Sequence, residues 1–175
     1  LKTCPYCGSL VELICSQFQC NYCELTLYPE DVQEDGDRKD FLPVSQPSYT
    51  ELRKSTSELM ELTTIELLYL LKFARAERRG IYANRKVFIQ ALKEGVEECV
   101  EGIRYTFNEY EYWTRKCFVL ENLIRERMGY IPEKISDSYL DEIITKMKES
   151  QQKVMMISAG KSIVAGQKLT DYKRT

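Results

Sequence analysis

The sequence predicts a mainly α-helical protein that carries a small cysteine-rich β module at its N-terminus. Two observations predict it. Four of the seven cysteines fall in two Cys-x-x-Cys pairs within the first 23 residues. Beyond residue 49, apolar side chains recur in steps of three and four, the period of an amphipathic helix. With 175 residues, 43% of them apolar, the chain is long enough for one helical domain plus a small appendage.

The module comes first. Cys4-Pro5-Tyr6-Cys7-Gly8 and Cys20-Asn21-Tyr22-Cys23 each form a tight knuckle that delivers two thiolates to one ion. Pro5 presets the first turn, and Gly8 lets the backbone approach sulfur. Short apolar stretches at 10–15 and 24–28 suit hairpin strands. The expected cofactor is one structural Zn2+ held by Cys4, Cys7, Cys20 and Cys23. Cys15 is read as a small core residue on a strand, with exchange for Cys20 as a ligand the open alternative. This pattern resembles the zinc-ribbon family over residues 4–28, and a resemblance to that family implies a metal that holds structure. Residues 29–48, with Pro29, Pro43 and Pro47 among six carboxylates, read as an acidic linker.

The helical part is placed at 49–158 and a polar tail at 159–175. A short segment runs from 49 to about 62, and Thr63 with Glu66 forms a capping box for the next helix. That helix is expected to stop near Arg79 with Gly80 as its C-terminal cap, and Asn84 to cap a third. From Phe88 a seam runs through Leu92, Gly95, Cys99, Gly102, Thr106, Tyr110, Trp113, Cys117, Leu120 and Ile124. It predicts either one long helix over 85–128 or two that meet near 106–108. The same seam offers a route to a homodimer. Gly129 and Pro132 end it, Ser136 or Asp137 opens the last helix, and Leu140, Ile143, Ile144, Met147 and Val154 supply a buried stripe.

Composition narrows the chemistry. There is no histidine, so Ser–His and Cys–His nucleophile systems are excluded and the commonest general base is missing. Ala159-Gly160-Lys161-Ser162 lacks the glycine five places earlier that a phosphate loop requires, since Met155 stands there. No catalytic residues are expected. No apolar run is long enough to span a membrane and no secretion signal opens the chain, so a cytoplasmic location is expected.

Charge is divided. Residues 1–48 carry three basic and eight acidic side chains, net −5, although the whole chain is only −2. Between Lys72 and Lys93, seven cations face one carboxylate, Glu77. Lys72, Arg75, Arg78, Arg79, Arg85 and Lys86 are therefore candidates for binding nucleic acid or an acidic partner. Tyr110, Tyr112 and Trp113 are candidates for a protein interface, with a core role the plainer alternative. An acidic module with a four-thiolate site suits protein better than phosphate. The function expected is thus a non-enzymatic regulatory or adaptor protein that binds a protein partner through the ribbon and a helical face; a DNA- or RNA-binding regulator using 72–93 is the alternative. In general build such proteins resemble accessory factors of bacteria and their phages.

Overall fold

A computed structural model describes residues 1–43, 45–151 and 155. It is mainly helical, with short antiparallel strands near the N-terminus. The described chain forms two compact units: one contains Leu1–Asp40 together with Ser150, Gln151 and Met155, the other Phe41–Glu149. Val154 and the tail at 159–175 lie outside the described residues.

In the first unit, β1 (Lys2–Thr3) pairs with β5 (Gln33–Glu34), and β2 (Glu12–Ile14), β3 (Gln17–Cys20) and β4 (Leu25–Leu27) form a meander. Leu13, Phe18 and Leu27 stand opposite one another across the three strands, which puts them on one face. The β2–β3 turn is Cys15–Ser16, at φ 47° and 72°. Left-handed geometry at both central residues matches the twist of the strands. Cys15 is consequently an exposed turn residue, where a strand position in the core was expected.

The unit also reaches further than its cysteines. The segment expected to be acidic linker starts with ordered structure: β5 closes on β1, and Val32 is buried with Cys4, Cys20 and Leu27. The Gly36 N–H donates to the buried Thr3 hydroxyl at 3.1 Å. Burying a carboxylate is costly, and here Glu30, Glu34 and Asp35 are exposed while half-buried Asp31 pairs with Lys39.

The second unit begins with three capping boxes in succession. Ser48 caps a 3-10 turn over Tyr49–Arg53, Ser55 caps α1 (Thr56–Glu61) and Thr63 caps α2 (Thr64–Lys93). At the third, the Glu66 carboxylate accepts the Thr63 N–H at 2.7 Å, as the sequence predicts. The predicted stop at Gly80 is wrong, because α2 runs through Gly80 and Asn84 to Lys93. Its real end is at Gly95, φ 95°, where the Gly95 N–H bonds Leu92 O and the Val96 N–H bonds Ala91 O, both at 3.1 Å. That pair of bonds is the Schellman arrangement.

After a short 3-10 turn over Glu97–Cys99, α3 (Val100–Met128) is continuous across 106–108. The expected seam is thus broken at 94–99 and nowhere else. Thr106 is buried there, and its hydroxyl donates to Gly102 O at 2.8 Å. Helices α2 and α3 lie antiparallel, with Arg75 against Glu121, Tyr82 against Tyr110, Arg85 against Phe107 and the Phe88 ring against Gly102. The seam from Trp113 to Ile124 is buried with Leu67, Leu68, Leu71 and Ala74 in this unit's own core. Gly129 ends α3 at φ 79°, and Ser136 opens α4 (Asp137–Gln151), whose Leu140 enters the core.

Candidate metal centre and basic helix surface

The two knuckles are built alike. In the first, the Gly8 N–H donates to Cys4 O and the Cys4 N–H to Ser9 O, both at 2.9 Å. In the second, the Cys23 N–H points at the Cys20 sulfur at 3.4 Å. Each has a left-handed residue directly after its second cysteine, Gly8 at φ 72° and Glu24 at φ 55°. The sequence signals the first through glycine; the second is carried by a glutamate and is not legible. Gly8 also lies so close to Met155 that an added Cβ would come within 2.5 Å of its side chain.

The sulfurs of Cys4, Cys7, Cys20 and Cys23 all lie within 4.8 Å of one another, with Cys7–Cys20 at 3.5 Å and Cys4–Cys23 at 4.0 Å. This set can hold a metal ion. Cys15 is not part of it. Cys4 and Cys20 are buried, while Cys7 and Cys23 are half-buried.

Four thiols this close cannot all ionise unaided. Burial pushes the Cys4 thiol up. Against its own burial, Cys7 is held down to about 6 by hydrogen bonds from the Ser9 side chain and backbone and from the Cys20 and Cys23 thiols. Cys23 is pushed up to about 12, first by its hydrogen bond with Cys7 and then by burial. The cluster favours one thiolate stabilised by its neighbours' protons, and a bound cation would favour the fully deprotonated set.

The predicted basic patch divides. Lys72 pairs with Asp137. The Arg75 guanidinium donates to one oxygen of Glu121 at 2.8 and 3.2 Å, and to Pro132 O and Glu133 O at 2.9 and 3.0 Å. Both side chains brace the fold. Arg78 and Arg79 make no hydrogen bond or ion pair among the described residues. With Arg75, Tyr82, Tyr110, Glu121 and Glu133 they line a cleft of about 420 Å³. The Arg85 guanidinium lies 5.1 Å from the centre of the Phe107 ring, and the Lys86 ammonium 4.8 Å from that of Tyr82. Tyr82 is not among the residues singled out from the sequence, although its spacing from Arg79 and Lys86 signals a shared face.

The aromatic candidates separate in the same way. Tyr110 packs on Tyr82 with ring centres 5.6 Å apart. Trp113 is 1% exposed, in the core, and so is not a surface anchor. Tyr112 meets it edge-on at 5.1 Å and is half-buried, with Arg53 over both rings. One helical turn therefore sends Tyr110 toward α2 and Trp113 inward.

The chain matches no protein-family model, no curated protein and no solved structure. Among the described residues, no helix is long and apolar enough to cross a membrane.

Proposed function

We propose that the chain is a non-enzymatic, cytoplasmic regulatory or adaptor protein whose N-terminal unit is a zinc ribbon that grips a protein partner. The geometry of the four sulfurs supports zinc. A tetrahedral zinc with bonds of about 2.3 Å to sulfur needs sulfurs about 3.8 Å apart, and the 3.5 and 4.0 Å separations bracket that value. Cys4, Cys7, Cys20 and Cys23 would fill all four positions, leaving none for water or substrate. The ion then serves to fold a unit whose own core is small.

The observation that carries the binding role is the display of apolar groups around this closed centre. Each knuckle presents a tyrosine beside its second cysteine, Tyr6 at 73% and Tyr22 at 79% exposure, and Leu13 stands 65% exposed at the edge of the sheet. Exposed aromatics held by a rigid turn make interface anchors. The partner fitted to them has an apolar patch rimmed by Lys and Arg, because the surrounding side chains of this unit are predominantly acidic.

The test uses the full chain. Elemental analysis should find one zinc per chain; iron in a red protein would replace zinc in the assignment. Capture from nuclease-treated lysate should recover a protein that rebinds when purified and is lost with both Tyr22→Glu and Cys20→Ser/Cys23→Ser. A partner retained by Tyr22→Glu, or recovery of nuclease-sensitive material alone, refutes the proposed surface.

A further inference from the structure

The geometry points to a second binding site, independent of the metal centre: a cationic and aromatic strip along α2 and α3 that takes single-stranded nucleic acid. Tyr82 lies four residues after Arg78 and three after Arg79, and three before Arg85 and four before Lys86, so the five side chains cluster on one side of α2. Tyr110 and Phe107 meet them from α3. Arg104, exposed and three residues before Phe107, extends the same side of α3.

Three properties identify the ligand. The first is charge. Arg78 and Arg79 make no hydrogen bond or ion pair among the described residues. Glu121 is bound to Arg75. Glu133 is the acidic side chain left in the cleft, at its Arg75 end.

The second property is planarity. Tyr82 and Phe107 are 45% and 49% exposed, and the Arg85 guanidinium lies 5.1 Å from the centre of the Phe107 ring. Unpaired bases stack on aromatic rings and on guanidinium planes. The Nε of Arg85 is buried without a hydrogen-bond partner, an orphaned donor. An acidic peptide would use the cations and leave these planes idle.

The third is length. From Arg78 to Lys86 the helix rises about 12 Å. That matches three to four stacked bases at about 3.4 Å each. Base-paired nucleic acid hides its ring faces and offers the strip phosphates alone.

The experiment is fluorescence anisotropy of the metal-loaded full chain with labelled 12-nucleotide single-stranded DNA and RNA, the corresponding duplex, and poly-glutamate, at several salt concentrations. Single strands should bind more tightly than duplex or poly-glutamate. Arg78→Gln/Arg79→Gln should weaken binding at least tenfold and lower the dependence of log affinity on log salt by about one to two. Phe107→Leu should weaken it about tenfold at unchanged salt dependence, the signature of lost stacking. Arg115→Gln, outside the strip, should change nothing, and far-ultraviolet circular dichroism should show every variant folded. The relative strength of the DNA and RNA arms identifies which strand is preferred. Absence of single-strand binding at low salt, tighter binding of poly-glutamate or duplex, or equal affinity of the strip variants would overturn the assignment.

Discussion

Arg75→Ala separates a bracing role from a binding role at a position where sequence and structure disagree. The guanidinium makes four hydrogen bonds that join α2 to Glu121 of α3 and to two carbonyls after the end of that helix. Their individual strengths do not add, because the unfolded chain hydrates the same groups. The better guide is the cost of removing one partner from a buried pair, about 3–5 kcal/mol. The two side chains keep 20% and 22% of their exposure, so water partly rehydrates the orphaned Glu121 and the expected loss is about 3 kcal/mol. For a unit of roughly 110 residues, unfolding entropy is about 0.23 kcal/mol per degree, which converts the loss to a fall in Tm of about 13 °C. Thermal melts followed by circular dichroism at 222 nm give the shift, and a cycle with Glu121→Gln should return about 1–3 kcal/mol of coupling. A shift of less than about 3 °C accompanied by lost oligonucleotide binding would refute the reasoning and return Arg75 to the binding set.

The two glycines on which sequence and structure turn should respond with opposite sign. Gly80→Ala, in mid-helix with no atom within 4 Å of the added methyl, should raise the stability of the helical unit by about 0.5–1 kcal/mol in urea titration. A destabilised variant would restore the cap that the sequence suggests. Gly8→Ala must hold φ 72° and displace Met155, and a penalty of about 1–2 kcal/mol should lower metal affinity roughly five- to thirtyfold by competition with a chromophoric chelator. Acid should loosen the start of the helical unit. Lys54 and then the Ser48 backbone hold the Glu51 carboxyl below its ordinary value, and the Ser55 hydroxyl and backbone do the same for Glu58. Groups with lowered folded values stabilise above about pH 4.5 and lose that contribution as pH falls through the folded value. The urea midpoint should therefore decline between about pH 5 and 3, and Glu51→Gln/Glu58→Gln should flatten that decline.

Local chemistry was legible wherever a short pattern fixes geometry. The Cys-x-x-Cys pairs came together as their spacing requires, and Thr63 with Glu66, Gly129 and Ser136 bound their helices as read. Two glycines with similar local signals, Gly80 and Gly95, were not separable. Both follow a basic residue or its near neighbour in a helical pattern, and what decides is packing. Beyond Gly80 the second half of α2 is held to α3 by Tyr82, Arg85 and Phe88, so continuing the helix outweighs the roughly 1 kcal/mol cost of glycine. Beyond Gly95 no comparable partner lies in register, and the Schellman bonds stop the helix. The β5 pairing escaped notice for a related reason. A two-residue strand with one buried valine among carboxylates has no periodicity to detect, and only the closure onto β1 gives it meaning.

The run of cations from Lys72 to Lys93 shows why charge density alone misplaces a site. At the start of α2, Lys72 and Arg75 meet Asp137, Glu121 and the carbonyls of residues 132 and 133, so each positive charge is neutralised or bound within the unit. One turn further on, no carboxylate among the described residues forms an ion pair with Arg78, Arg79, Arg85 or Lys86, and Arg85 lies against the Phe107 ring. The helix repeat carries the same basic face from one environment into the other. A cation held by a carboxylate contributes to stability and has little field left for a ligand, whereas one resting on an aromatic ring keeps its net charge and an outward hydrogen-bonding edge. The transition between Arg75 and Arg78 therefore divides a uniform stretch of sequence into a brace and a surface available for recognition.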